Sequence, residues 1–201
     1  MKVCVLGLWH LGTVTAACLA DHGHEVVGLD FDPPVVAALA GGTPPLVEPG
    51  LTELVQSGLG AGRLSFTTDA AVASSADVVW VAYDTPVDDE DRANVDYVVE
   101  RVERLFPHLR SGSLVLISSQ VPVGTTARLE GRFARTASGR VVGFACSPEN
   151  LRLGGAIAAF TAPDRIVVGA RTAADRERLE MLLQPFGSDI EWMSVESAEM
   201  T

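Results

Sequence analysis

The sequence predicts an α/β fold built on a doubly wound, mostly parallel sheet. Two features of the 201-residue chain support this: short, continuously apolar runs recur along it, and helical segments with one apolar face lie between them. Strands that are apolar on both faces are typical of parallel sheets covered by helices on both sides. The hydrophobic fraction of 47% is sufficient for such a core.

The predicted strands alternate with helices from the start of the chain. The apolar runs assigned to strands are residues 2–7, 25–30, 63–68, 77–83, 113–119, 140–146 and 165–170. Residues 13–23 are rich in alanine and end in a glycine, as helices often do. The chain is therefore expected to open with a strand–helix–strand unit.

Two later helices are predicted in more detail. One begins after Asn94, carries valines on its inner face and pairs Glu100 with Arg104 on its outer face. The other begins after Thr172, turns three leucines inward and ends before Pro185.

The charge balance excludes several classes of partner. The chain has 15 basic and 26 acidic residues, a formal net charge of -11, so it has no electrostatic attraction for nucleic acid or anionic membranes. No apolar run approaches the roughly 20 residues of a membrane span, and residues 1–8 are too short and too strand-like for a signal peptide. A cytoplasmic protein is predicted.

The cysteines give no sign of a disulfide framework or a metal site. Cys4, Cys18 and Cys146 are odd in number and have no C-x-x-C spacing. Each lies in or beside an apolar segment, where a free cysteine usually packs as a small hydrophobic residue.

The turn GLWHLG, residues 7–12, predicts a dinucleotide site of the Rossmann type. Amide groups at the start of the helix would hold a diphosphate. Gly7 permits the tight turn and Gly12 lets the helix pack close to the strand, whereas Trp9 stands where the middle glycine of G-x-G-x-x-G is expected. Trp9 must have a negative φ and a ring directed away from the ligand. With His10 and Leu11, these residues are the first candidates for cofactor binding.

Asp30 predicts the identity of the cofactor. It ends the second predicted strand, eighteen residues after Gly12, where a carboxylate can accept hydrogen bonds from the adenosine ribose. A carboxylate would repel a 2′-phosphate, and the following residues 31–34 include no arginine to receive one. NAD is therefore predicted rather than NADP.

Further stretches together resemble the N-terminal domain of the UDP-glucose/GDP-mannose dehydrogenase family. They are VEPGL (47–51), GRLSFTTD (62–69), ADVVWVAYDTP (76–86), SSQVPVGT (118–125), SPENLRLG (147–154), PDRIVVG (163–169) and SAEMT (197–201). The similarity runs in unbroken order from residue 1 to 201. It implies an oxidoreductase that uses two NAD molecules and a cysteine-bound thioester to oxidise the C6 alcohol of a sugar nucleotide, such as UDP-glucose, to a carboxylate.

The resemblance also implies site residues. For the cofactor these are the loop Tyr83, Asp84, Thr85 and Pro86, together with Ser119 and Gln120; for the substrate they are Glu149, Asn150, Leu151 and Arg152. Glu149 and Gln120 are the catalytic candidates, since Glu149 could position or deprotonate a water and Gln120 replaces a threonine linked to that water. Asp84 stands in place of the glycine of the family's G-T-P, and Leu153 in place of a second acid.

The family pattern extends past this sequence. The resemblance implies an NAD-binding domain over residues 1–195, with 196–201 starting a linking helix to a portion that carries the catalytic lysine, asparagine and cysteine and most of the sugar-nucleotide pocket. Residues 1–201 alone are therefore expected to be inactive. The family dimerises through that helix, which implies a homodimer for the longer protein and leaves a monomer open for this chain.

Two alternatives remain open from the sequence. One is a free-standing NAD-responsive binding module, and the other is a dehydrogenase of the 6-phosphogluconate or 3-hydroxyisobutyrate type, which shares the glycine turn. The VEPGL and VPVGT stretches argue against the second alternative by resemblance alone. The sequence does not identify the sugar nucleotide.

Overall fold

The architecture was determined from a computed structural model that describes residues 1–87, 90, 93–136, 139–149, 151–187 and 189–201. Within these residues the strands form one eight-stranded sheet in the order β3-β2-β1-β4-β5-β6-β7-β8. The strands are β1 Lys2–Leu6, β2 Glu25–Leu29, β3 Leu64–Thr67, β4 Val78–Val81, β5 Leu114–Ile117, β6 Gly143–Cys146, β7 Ile166–Gly169 and β8 Ile190–Met193. The predicted doubly wound α/β class is confirmed.

The sheet is parallel except at one position. Neighbouring strands from β3 to β6 pair in parallel, β7 runs antiparallel to β6 through the Cys146–Gly169 pair, and β8 is parallel to β7. All the predicted strands are present, in somewhat shorter form. The edge strand β8 was not predicted.

Helices cover both faces of the sheet. They are α1 His10–Asp21, α2 Pro33–Ala40, α3 Leu51–Gly60, α4 Val95–Glu103, α5 Thr125–Thr136, α6 Ala156–Thr161, α7 Ala173–Leu183 and α8 Val195–Ala198, with a 3-10 helix at Ala70–Ser75. Val3 and Val5 belong to the core shared with α1, α3, α6 and α7, whereas Cys4 and Leu6 belong to the core shared with α4 and α5. This alternation explains why the strands are apolar on both faces.

The first helix is more deeply buried than its sequence indicates. Every residue of α1 from His10 to Ala20 is buried, because the helix packs against α3 and α6 as well as the sheet. It begins at His10 and ends at Asp21, so the predicted range of 13–23 began three residues late. The error arose because the glycine turn and the first helical turn overlap in sequence.

The two helices predicted in detail are present, with one correction. Asn94 caps α4 by accepting a hydrogen bond from the Tyr97 amide, and α7 is capped by Thr172 and ends at Leu183. The predicted pairing of Glu100 with Arg104 is wrong. The Arg104 guanidinium lies instead over the Phe31 ring, 3.4 Å from its centroid, where a cation–π contact replaces an exposed ion pair.

The predicted packing of the three cysteines is confirmed. Cys4, Cys18 and Cys146 are all free and buried. In the described part of the chain, no helix combines the length and the apolar character that crossing a membrane would require.

Candidate functional site

The candidate site lies at the carboxyl end of the sheet, where the winding reverses. From β1 the chain moves outward through β2 to β3, and then crosses back so that β4 pairs with the other side of β1. In open α/β sheets the crevice at this reversal is where ligands bind. The residues after β1, β2, β4, β5 and β6 all reach this edge, which explains why distant sequence stretches converge there.

Two glycines shape the turn between β1 and α1. Gly7 has a φ of +95°, and a Cβ there would lie 2.8 Å from two ring carbons of Tyr83. A Cβ on Gly12 would overlap the carbonyl oxygen of Gly7. Only glycine fits at either position, so the predicted roles in the tight turn and the close helix packing are confirmed.

The first turn of α1 leaves amide groups available for an anion. In the described structure Trp9 occupies the N-cap position without a side-chain hydrogen bond, and no acidic residue lies in the first turn. The φ of Trp9 is -82°, an ordinary value, and 48% of the residue is exposed. Trp9 therefore does not strain the turn, and its φ is negative as predicted.

Asp30 is anchored beside this turn. One carboxylate oxygen accepts a hydrogen bond from the Leu8 amide at 2.8 Å, and the other accepts one from the Asp32 amide at 3.1 Å. Because an ionised carboxylate offers about four acceptor positions, capacity remains for two hydroxyl donors. The backbone thus holds Asp30 where the sequence predicted it to be, and its role towards ribose stays a prediction.

Half of the predicted site residues meet in a cleft of about 180 Å³ at the start of α1. It is lined by His10, Leu11, Tyr83, Asp84, Thr85, Gln120, Glu149 and Leu151. The Thr85 hydroxyl donates a hydrogen bond to the Gln120 carbonyl at 2.6 Å, which ties the loop after β4 to the loop after β5.

A larger cleft of about 640 Å³ adjoins the first. Gln120, Glu149 and Leu151 line both clefts, and Ser119, Cys146, Arg165 and Glu199 are among the other lining residues of the larger one. The Ser119 hydroxyl is buried and has no hydrogen-bond partner among the described residues. The shared residues would therefore face ligands in both clefts.

Glu149, the ionisable one of the two predicted catalytic residues, has a shifted pKa. Burial raises its pKa from 4.5 to about 7, so the carboxyl is close to half ionised at neutral pH. Its loop is held in place because Ser118 donates a hydrogen bond to the Ser147 carbonyl at 2.6 Å, and Ser147 donates one to the Val167 carbonyl at 2.9 Å. A carboxyl with a pKa near 7 can exchange a proton with a water or hydroxyl.

Several predicted residues lie outside the two clefts. The lining residues do not include Gly7, Trp9, Gly12, Asp30, Pro86 or Arg152. Arg152 is exposed. Asn150 lies outside the described residues. For substrate binding, the clefts thus bring together Glu149 and Leu151.

Sequence reasoning missed Glu48, a buried residue that connects the start of α1 to the loop before α6. It lies in the Pro-rich loop before α3, with a side chain only 1% exposed. Its carboxylate accepts hydrogen bonds from the Gly154 amide at 2.7 Å and the Ala156 amide at 3.0 Å, and lies 3.2 Å from His10 Nε2. Burial opposes the ionised form, but the hydrogen bonds outweigh it and hold the pKa of Glu48 below its usual value.

Glu199 plays a similar part at the larger cleft. Its two carboxylate oxygens accept hydrogen bonds from the Gly124 amide at 2.6 Å and the Thr126 amide at 2.7 Å, at the start of α5. A negative charge is favourable at a helix N-terminus. Glu199 thus fixes the segment after α8 against the loop that leads from Gln120.

Cys146 is not placed to act as a nucleophile. It packs with Val167, Val195 and Ala198. Burial, together with the nearby Glu199 charge, raises its pKa to about 12, which leaves almost no thiolate at neutral pH.

Comparisons with known proteins agree with this geometry. The family model "UDP-glucose/GDP-mannose dehydrogenase family, NAD binding domain" matches residues 1–187. The UDP-glucose 6-dehydrogenase of Pseudomonas aeruginosa is 37% identical over 191 residues, which cover 92% of this chain and 42% of that protein. The GDP-mannose 6-dehydrogenase of Pseudomonas syringae pv. syringae is 32% identical over 208 residues, covering 100% and 48%.

A solved structure shows the same fold. The ternary complex of GDP-mannose dehydrogenase from Pseudomonas aeruginosa superposes with a TM-score of 0.92 at 30% identity, and the match covers 100% of this chain and 48% of that one. The chain thus spans less than half the length of these relatives.

Proposed function

We propose that this chain is the cofactor-binding half of a nucleotide-sugar 6-dehydrogenase. The chain belongs to the UDP-glucose/GDP-mannose dehydrogenase family and contains its NAD-binding domain. The observation that carries the proposal is the uncapped first turn of α1 at the reversal of the sheet, with the anchored carboxylate of Asp30 beside it. Family membership favours this function over a 6-phosphogluconate or 3-hydroxyisobutyrate dehydrogenase.

The residues of the turn fit NAD. The amides at the start of α1 would hold the diphosphate, and Gly7 and Gly12 shape the turn that presents them. Asp30 would accept hydrogen bonds from the adenosine ribose and disfavour the extra phosphate of NADP. When bound, NAD⁺ supplies the hydride acceptor.

Glu149 and Gln120 would serve the chemistry at the junction of the two clefts. With a pKa of about 7, Glu149 can take a proton from a water or hydroxyl near neutral pH. Gln120 is exposed there and offers an amide donor and acceptor to orient the same water.

The larger cleft is the proposed position for part of a sugar nucleotide such as UDP-glucose. Because this chain covers less than half of its relatives, the remaining contacts and the oligomer are assigned to a longer protein. In this proposal residues 1–195 form the NAD-binding domain and 196–201 begin the link to the substrate-binding portion.

A binding and turnover experiment tests the proposal. Residues 1–201 are expected to bind NAD in a calorimetric titration and to produce no NADH from UDP-glucose. The first reason is that the remaining contacts to the sugar nucleotide are assigned to a longer protein, so the C6 alcohol is not held for hydride transfer. The second is that Cys4, Cys18 and Cys146 are buried, with pKa values raised to about 12 by burial, so none can form the thioester of the later oxidation. Absence of NAD binding would contradict the cofactor assignment. Steady NADH formation would contradict the proposal that catalysis needs a further portion of a longer protein.

The effect of Trp9 on the affinity for NAD can be measured separately. Replacing Trp9 with glycine is expected to tighten NAD binding about threefold, because glycine is an adequate N-cap and lets the ligand approach the backbone. Trp9→Ala, which keeps a Cβ but no ring, is the matched variant. Equal affinities for all three proteins in the titration would show that the indole does not obstruct the site.

A further inference from the structure

We propose that His10 takes up a proton from solvent when the cofactor diphosphate binds, and that the buried carboxylate of Glu48 orients the imidazole and balances its charge. This role rests on the proposed function, since it concerns the same cofactor site. His10 would be the cationic donor of the small cleft, and Glu48 a positioning residue that acts through it.

His10 lies between a buried anion and the small cleft. It is the first residue of α1 and lines the cleft, although its side chain is only 10% exposed. Its Nε2 atom lies 3.2 Å from an oxygen of Glu48. Glu48 is itself held by the Gly154 and Ala156 amides. The imidazole therefore cannot turn away without removing one partner from a buried carboxylate.

The carboxylate determines which ring nitrogen carries the proton. Although burial opposes ionisation, the hydrogen bonds hold the pKa of Glu48 below its usual value, so its oxygens only accept. Nε2 must then carry the proton of a neutral His10, which leaves a lone pair on Nδ1. Among the described residues Nδ1 has no hydrogen-bond partner, and it is not one of the buried atoms that lack one. Nδ1 is thus the polar atom that His10 offers to a ligand.

A diphosphate distinguishes the two forms of this ring. Its oxygens are negatively charged acceptors, so they repel the lone pair of neutral Nδ1 and attract the N–H of the cation. The described lining residues of the small cleft include neither lysine nor arginine, so His10 is the side chain there that can become a cation. Diphosphate binding should therefore favour the protonated ring, and protonation should strengthen binding by the same factor.

The groups around His10 have opposing effects on its charge. The ionisable side chains that face it from other elements are Glu48, Tyr83, Asp84 and Glu149, whereas Asp30 and Arg152 lie outside the cleft. The carboxylates favour the cation, most strongly Glu48 because it is in contact. Burial raises the pKa of Tyr83, so its phenol stays neutral. The positive end of the α1 dipole disfavours the cation, and a bound diphosphate offsets that effect.

NAD binding should consequently be accompanied by proton uptake at about pH 7. Calorimetric titrations in buffers of different ionisation enthalpy count these protons, and the wild-type protein should take up a fraction of one proton per NAD. Its affinity should fall between about pH 6 and 8, by at most about tenfold per pH unit, because a single proton is linked. ADP-ribose, which keeps the diphosphate without the nicotinamide, should give the same uptake, and adenosine should give none.

His10→Gln is the decisive variant, because its amide can still donate to Glu48 but cannot take up the proton. It should lose most of the proton uptake and bind NAD at least about tenfold more weakly at about pH 6, through loss of a charge-assisted hydrogen bond. Glu48→Gln keeps His10 but no longer balances its charge, so its uptake should fall as well. His22→Gln is the control, since His22 lies just past the opposite end of α1 and its change should leave the uptake unaltered.

The carboxyl groups of the cleft need variants of their own. Burial raises the pKa of Glu149 to about 7, so this residue also titrates in the measured range. Glu149→Gln and Asp84→Asn should both retain the uptake that is due to His10. Uptake that is lost in either of these variants and kept in His10→Gln would assign the proton to that carboxyl group and contradict the role of His10.

The remaining outcomes separate the two proposals. If the wild-type protein binds NAD without proton uptake, or His10→Gln takes up as many protons as the wild type, the role of His10 is wrong and the cofactor site stands. If a folded Glu48→Gln protein takes up as many protons as the wild type, the positioning role of Glu48 is wrong. If the wild-type protein does not bind NAD, both proposals fall.

Discussion

Replacing Asp30 with alanine is expected to weaken NAD binding at least about 100-fold, because hydrogen bonds to an ionised acceptor contribute about 1.5–3 kcal/mol each and two ribose hydroxyls would lose theirs. The substitution also removes the acceptor of the Leu8 amide, which helps to hold the turn before α1. The dissociation constant from calorimetry measures the combined effect.

A nearby aspartate provides the control. Asp32 lies two residues further on, is exposed, and makes no side-chain hydrogen bond at the start of α2. Asp32→Ala should leave NAD affinity almost unchanged. The discrimination against NADP should shrink in Asp30→Ala, since the repulsion of a 2′-phosphate is gone. Wild-type affinity in a folded Asp30→Ala protein would remove Asp30 from the cofactor site.

The sheet could be predicted because its strands carry a local signal. β4 and β5 are uninterrupted apolar runs, and β1 is one after Lys2. Apolar runs of this length are typical of strands that are buried on both faces of a sheet. β8 was missed because an edge strand of four residues with Glu191 exposed in its middle has no such pattern. The antiparallel pairing of β6 with β7 likewise depends on the path of the chain, which no local segment encodes.

The geometry of the turn between β1 and α1 could be predicted for a related reason. Gly7, Gly12 and Asp30 lie within one strand–helix–strand unit, so their spacing fixes their geometry. Glu48 could not be found in this way. In sequence it is a single acid among prolines, which resembles a solvated loop, and its partners Gly154 and Ala156 lie 106 and 108 residues away.

Glu48 nevertheless connects the two halves of the site. It joins His10, the first residue of α1, to the loop that carries Glu149 and leads to α6. The cofactor turn and the proposed catalytic loop therefore share one buried anion. A change at Glu48 should affect stability and NAD affinity together.

Glu48→Gln is expected to lower the free energy of unfolding by about 3 kcal/mol at pH 7, because buried donors that lose their acceptor cost about 1–3 kcal/mol each. A glutamine can present one oxygen to the Gly154 and Ala156 amides, but its NH₂ group would face another donor. Denaturant unfolding followed by circular dichroism measures the loss.

The pH dependence follows from the lowered pKa of Glu48. A carboxyl that is more acidic in the folded than in the unfolded protein contributes stability above its unfolded pKa, and loses that contribution as the pH falls through its folded pKa. The difference between wild type and Glu48→Gln should therefore be full at pH 7 and shrink on acidification. A difference that is constant with pH would mean that the charge of Glu48 has no part in the effect.

Glu149→Gln is the matched variant, and its effect on stability should have the opposite pH dependence. Burial raises the pKa of Glu149 from 4.5 to about 7, so its contribution to stability is present at low pH and is lost as the pH rises through 7. Glutamine avoids this loss and should stabilise the protein at pH 8, by at most about 3 kcal/mol, with little effect near pH 4.5. If both variants destabilise the protein equally at pH 8, the folded protein does not lower the pKa of Glu48 while raising that of Glu149. The proposed difference between a structural Glu48 and a proton-exchanging Glu149 would then be wrong.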